Sequence, residues 1–185
     1  MHNGEQALEN LENLVADFQK EPICVQVDSG YGSLDLDGVK EKAAFAKCKK
    51  ENGWKKHEHQ YRIPNDVLKQ VYKCLKAWDA PKEFADFDEL YKELEKRIGN
   101  LEGVGSLMLY DTALRFAKYY RLKPKQVYLH AGAYEGAKLL KSKGLLNAPL
   151  ARTLPVNAFP KPLQKLGAKE IEIFLCTRKN QIAGV

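Results

Sequence analysis

Apolar residues recur at three- and four-residue steps along most of this chain. Leu8, Leu11, Leu14, Val15 and Phe18 fall on one face of a helix. Val67, Leu68, Val71, Tyr72, Leu75 and Trp78 make a second stripe, entered through Pro64, which suits a first turn. Phe87, Leu90, Tyr91, Leu94 and Ile98 give a third over about 84–98, with Gly99 and Asn100 able to take the left-handed backbone that ends a helix. Leu109, Ala113, Phe116, Ala117 and Tyr120 give a fourth, closed at Lys123-Pro124. Between the first two stripes, Asp35 or Asp37 can cap a helix running to about Lys50. Ile23, Val25 and Val27 alternate as a short extended piece. "KKENGWKKHEHQYR" reads as irregular and basic. Beyond Pro124, "QVYLHAGAYEGAKLLKSKG" reads as a turn feeding a helix that closes at Gly144. Ile171, Phe174 and Leu175 mark a last short helix, with a frayed tail over 180–185. The pattern predicts a mainly α, compact multi-helix domain spanning 1–185.

Charge changes this picture more than composition does. The 185 residues carry a net +6, unevenly spread. Residues 1–34 hold six acids and one base, whereas 115–145 hold eight bases and only Glu135 as acid. A block so one-sided points to an anionic partner. No run is long and apolar enough for a membrane helix, and the N-terminus lacks the pattern of a signal peptide. Cys24, Cys48, Cys74 and Cys176 are scattered without a C-x-x-C pair, as expected of buried thiols in the cytoplasm. A soluble cytoplasmic protein without a cofactor is the expectation.

The stretch "NLEGVGSLMLYDTALRFAKYY" carries the most specific signal. Helix, apolar residue, Gly-Val-Gly and helix is a spacing that lets the backbone bend tightly, with Val104 turned inward between Gly103 and Gly105. Such a corner leaves N–H groups exposed at the start of the second helix, where the helix dipole favours an anion, and Ser106 adds a hydroxyl. It lacks the third glycine of a dinucleotide fingerprint and the Gly-Lys-Ser/Thr of a phosphate-binding P-loop. About residues 86–121 resemble the helix-hairpin-helix motif of the DNA-glycosylase-like helical superfamily. The resemblance implies DNA binding through the phosphate backbone, without sequence readout, at Gly103, Val104, Gly105 and Ser106. Arg115, Lys118, Arg121 and Lys123 are the candidate helpers.

Glycosylase chemistry itself is not expected. The resemblance implies an aspartate about twenty residues beyond the hairpin and, in many members, a lysine just after its second glycine. Here no Asp or Glu lies between Thr112 and Tyr134, and Ser106, Leu107 and Met108 follow Gly105. Residues 109–140 also resemble a phrase in bacterial proteins of no established activity, which implies no mechanism. Two other readings stay open. One is a nuclease or other hydrolase built on Asp111 and His130, with Asp111 and Arg115 four apart on one helix face as the simpler ion-pair alternative. The other is a protein-interaction module whose corner only packs. His57 and His59 form a weak metal candidate, and Trp54 and Tyr61 can stack on bases beside Lys49, Lys50, Lys55, Lys56 and Arg62.

Overall fold

A computed structural model describes residues 2–21 and 27–185, and among these the chain is mainly helical. It divides into two compact units where the sequence suggested one domain. Residues 23–123 form a central unit, and residues 1–22 with 124–185 form a discontinuous one. The extended piece expected at Ile23 and Val25 lies outside the described residues, and Val27 belongs to a turn.

Helix α1 (His2–Lys20) belongs to the discontinuous unit. The central unit begins with a single turn at Tyr31–Ser33 and then α2 (Leu36–Ala44). Asp35 caps α2 by accepting a hydrogen bond from the Gly38 amide at 2.8 Å, as its sequence position suggested. The helix stops at Ala44, short of the expected Lys50. Ala46 takes a left-handed φ of 54°, and the chain enters a two-stranded ribbon, β1 (Lys47–Lys50) and β2 (Gly53–Lys56). Glu51 and Asn52 form the tip, and Gly53, with φ of 102°, supplies the left-handed residue that such a short turn demands. The segment expected to be irregular is therefore an ordered hairpin.

A turn at Glu58–Gln60 leads to α3 (Asn65–Lys76), followed by α4 (Phe87–Ile98) and α5 (Ser106–Tyr120). Asp86 caps α4 through the Glu89 amide at 3.0 Å, and Glu89 reaches back to the Ala85 amide at 2.6 Å. Gly99 ends α4 with ordinary right-handed backbone, so the expected left-handed stop at Gly99-Asn100 is not used. The left-handed glycine of the corner is Gly103, with φ of 84°. Helix α2 packs on α3 and α5, and α4 packs on α5, around Leu68, Leu75, Trp78, Phe87, Leu94 and Phe116. Helix α5 is buried from Met108 through Ala117 and ends at Arg121, which takes a left-handed φ of 58°.

In the discontinuous unit β3 (Gln126–Tyr128) pairs antiparallel with β4 (Thr153–Pro155), with Val127 opposite Leu154. Helix α6 (Ala131–Ser142) lies between them in sequence, and α7 (Lys161–Gln164), α8 (Ala168–Thr177) and α9 (Lys179–Ala183) follow. The core gathers Leu11, Val15 and Phe18 from α1 with Val127, Leu140, Ile171 and Phe174. Phe18 meets Phe174 edge to face at 5.4 Å. Helices α6 and α8 approach closely. A β-carbon added at Gly136 would stand 2.4 Å from the Leu175 carbonyl oxygen, so glycine is what permits the contact. The tail expected to fray instead forms α9, with Ile182 fully buried and Lys143 Nζ donating to the Val185 carbonyl at 2.7 Å.

Candidate nucleic-acid interface

The corner between α4 and α5 is exposed at Glu102, Gly103, Gly105 and Ser106, and half-buried at Leu101 and Val104. Two tight hydrogen-bonded turns form it, from the Leu101 amide to Ile98 O at 3.2 Å and from the Val104 amide to Leu101 O at 3.0 Å. Gly103 and Gly105 have different reasons to be glycine. A β-carbon at Gly103 would lie 2.7 Å from Val67 Cγ2, on a backbone that side chains rarely adopt. One at Gly105 would meet nothing within 4 Å, with φ of −88°. Gly105 therefore leaves the start of α5 open rather than packed.

The contact of Gly103 with Val67 has a consequence for electrostatics. Val67 sits in the first turn of α3, so the start of α3 touches the corner that leads into α5. Neither end has a side-chain cap: Pro64 precedes α3 and Gly105 precedes α5. An uncapped helix N-terminus carries partial positive charge. Glu102 and Asp66 are exposed there and oppose that charge, although Asp66 is paired with Lys69 at 3.2 Å.

The expected cationic helpers are arranged differently from the sequence reading. Arg115 is wholly buried, so it presents no charge to solvent. Its Nε donates to Val27 O at 3.1 Å and its Nη2 to Gln60 Oε1 at 2.6 Å. Gln60 Nε2 in turn donates to Asp111 Oδ2 at 2.9 Å. Asp111 and Arg115 are thus bridged through Gln60 in a buried network. Tyr31 lies beside it, its phenol donating to Lys47 O at 2.6 Å and pushed far above its ordinary pKa by burial, with Arg115 opposing that shift. Lys118, Arg121 and Lys123 are exposed but belong to the far end of α5. Twelve residues separate Ser106 from Lys118, about 18 Å along a helix. There they complement the negative end of the dipole instead of assisting the corner. Residues of the basic block of 115–145 from 124 onward belong to the other unit.

A second cationic region, weighed in the sequence only as a loop, is the ribbon. Lys47 stands opposite Lys56, and Cys48 opposite Lys55. Lys56 Nζ reaches Ile63 O at 2.8 Å, which ties the ribbon to the start of α3. Lys50 pairs with Glu58 at 3.0 Å, a hydrogen bond that raises the lysine's pKa. Lys49, Lys55 and Arg62 are exposed, and Tyr61 beside them is 58% exposed, the most open large aromatic among the described residues. Trp54 is half-buried and meets Tyr31 edge to face at 5.2 Å, so it serves packing. What could have flagged this ribbon is Asn52-Gly53 between two lysine-rich runs, a hairpin signal.

Asp111 belongs to the central unit with Gln60, whereas His130 belongs to the discontinuous unit with Glu172, 3.5 Å away. His57 is buried, and the His59 side chain lies outside the described residues. Among the described residues no three His, Cys, Asp or Glu side chains gather as a metal site. Cys48 is buried, while Cys74 and Cys176 are half-buried, where the sequence suggested full burial; Cys24 lies outside the described residues. No helix is long and apolar enough to cross a membrane among the described residues. No protein-family model, curated protein or solved structure matches this chain.

Proposed function

We propose that this protein binds DNA through its phosphate backbone, without sequence readout, using the Gly103–Ser106 corner as a helix-hairpin-helix. The observation that supports it is the exposed, uncapped start of α5 at Gly105, where a β-carbon would meet nothing, with the first turn of α3 touching the same corner through Val67. Backbone amides there suit a phosphate oxygen and read no base. The cations differ from those the sequence proposed: Arg62, at the entrance to α3, with Lys49 and Lys55 on the ribbon, replaces Arg115 and the distant end of α5. Tyr61 adds a face on which an unpaired base can stack.

A fluorescent duplex and a single strand of equal length, titrated across a salt series, test this reading. Affinity should fall by at least about ten-fold between roughly 50 and 200 mM salt. Gly105→Glu should lose at least ten-fold at low salt, by about 1.4 kcal/mol or more, because it sets a carboxylate against the phosphate. Binding that is flat with salt, or unchanged in Gly105→Glu, would leave the corner as packing alone.

A further inference from the structure

A cluster in the discontinuous unit, unrelated to the corner, carries its own chemistry. His130 and Glu172 are both buried, at 6% exposure each, with Nε2 and Oε1 3.5 Å apart. Taking a histidine and a carboxylate out of water together is costly, and such pairs are common where a proton has to be held or moved. His130 immediately precedes α6, and the next residue, Ala131, takes a left-handed φ of 40°, a strained conformation for alanine. One residue further, Gly132 faces Cys176. A β-carbon at Gly132 would stand 2.6 Å from Cys176 Sγ, so only glycine lets the sulfur lie against the first turn of α6. Cys176 and Glu172 are four apart on α8 and share a face. The imidazole, the carboxylate and the thiol therefore flank the first turn of α6, the carboxylate against His130 and the thiol against Gly132. That end has no side-chain cap and bears the positive pole of the helix.

Close packing of α6 on α8 explains Gly136, which faces only the Leu175 backbone. It does not account for an ionisable pair buried one helical turn from a half-buried thiol. A helix N-terminus and an adjacent imidazolium both favour thiolate over thiol.

We infer that Cys176 is a reactive thiol, activated by His130 with Glu172 as its positioning carboxylate, and that it exchanges with low-molecular-weight disulfides. In that step the Cys176 proton passes to His130, and Glu172 stabilises the imidazolium. The thiolate sulfur attacks one sulfur of the disulfide, and the old S–S bond breaks as the Cys176 mixed disulfide forms. The departing thiolate takes the proton back from His130. One thiol and one disulfide enter, and one mixed disulfide and one thiol leave.

The test is alkylation of the folded chain by iodoacetamide across pH 5.5 to 9.5, followed peptide by peptide, with half-buried Cys74 as internal comparison. The Cys176 rate should reach its midpoint at least about one pH unit below that of Cys74 and below its own midpoint in urea. Glu172→Gln and His130→Gln should each move that midpoint upward while leaving Cys74 unchanged. Oxidised glutathione should place a mixed disulfide on Cys176 before Cys74. A Cys176 midpoint at or above its urea value overturns the inference, even if neither variant folds. So does a low midpoint that persists in both folded variants, or glutathione adding to Cys74 first.

Discussion

Arg115 illustrates how a charged residue in a helical stripe can be misread. Its spacing from Asp111 suggests either a surface ion pair or a hand for phosphate, yet the guanidinium is buried between Val27 O and Gln60. Its exposure depends on Gln60, which is 55 residues away and carries no local signal. Arg115→Ala should lower stability by about 3 kcal/mol, since it strands Gln60 and Asp111 in the interior. Urea denaturation measures this, and a loss below about 1 kcal/mol would mean the network is unimportant. Tyr31 yields a pH prediction with a definite sign. Burial raises its folded pKa above the unfolded value near 10, so the folded chain keeps a proton that the unfolded chain loses. Stability from this group is complete below pH 10 and declines as pH rises beyond it. Tyr31→Phe should cost about 1 kcal/mol at pH 7, through the lost bond to Lys47 O, and should flatten the decline above pH 10. An equally steep alkaline decline in Tyr31→Phe would place its origin elsewhere. The two corner glycines should also part. Gly103→Ala should cost about 1–3 kcal/mol, because its φ is positive and Val67 is stiff. Gly105→Ala should cost less, about 0.5–1 kcal/mol, because alanine is a poorer N-cap than glycine but meets nothing there. Thermal melts of the two variants check this, and equal losses would contradict it.

At the scale of elements, the long helices were legible because apolar spacing reports burial directly. Their stripes matched the buried faces of α3, α4 and α5, apart from half-buried Val67, Tyr72 and Tyr120. The cap at Asp35, one of the two aspartates expected there, also holds, and Asp86 caps α4 without having been expected. The ribbon was missed for a physical reason. Its lysines give no alternation of apolar and polar residues, since the strands are anchored by Cys48, Trp54 and side-chain reach to neighbouring carbonyls rather than by an apolar face. Beta strands β3 and β4, three residues each, are too short to leave a period in sequence. The ribbon also carries a cost to stability, because Lys47 and Lys56 stand directly opposite one another. Lys47→Glu should raise stability by about 0.2–1 kcal/mol while weakening binding to DNA. A variant that gains stability and binds as tightly as the parent would remove the ribbon from the interface.

At the scale of the whole molecule, the uneven charge of the sequence overstates the charge that folding leaves free. The basic block from Arg115 to Lys143 is split between the two units, and several of its members serve the fold. Arg115 is internal, Lys141 donates to Ala148 O at 2.9 Å, and Lys143 donates to Val185 O. Summed charge along a chain therefore overstates what any one face offers an anion. The Gly103 turn could be read from the sequence because backbone geometry is local and a glycine reports it directly. The tie of the ribbon to α3 was not readable, since the reach of Lys56 to Ile63 O and the contact of Val67 with Gly103 leave no local signal. The acids there bear on the same account. Glu102→Gln should tighten binding by removing a carboxylate from the turn that leads into α5.

The most direct measurement is the affinity of parent, Gly105→Ala and Gly105→Glu for one fluorescent duplex at low and high salt, with all three confirmed folded. The account predicts that the alanine variant binds like the parent, that the glutamate variant loses at least ten-fold, and that the parent's affinity falls steeply with salt. Equal binding by all three, or none by the parent, would contradict a phosphate grip at this corner.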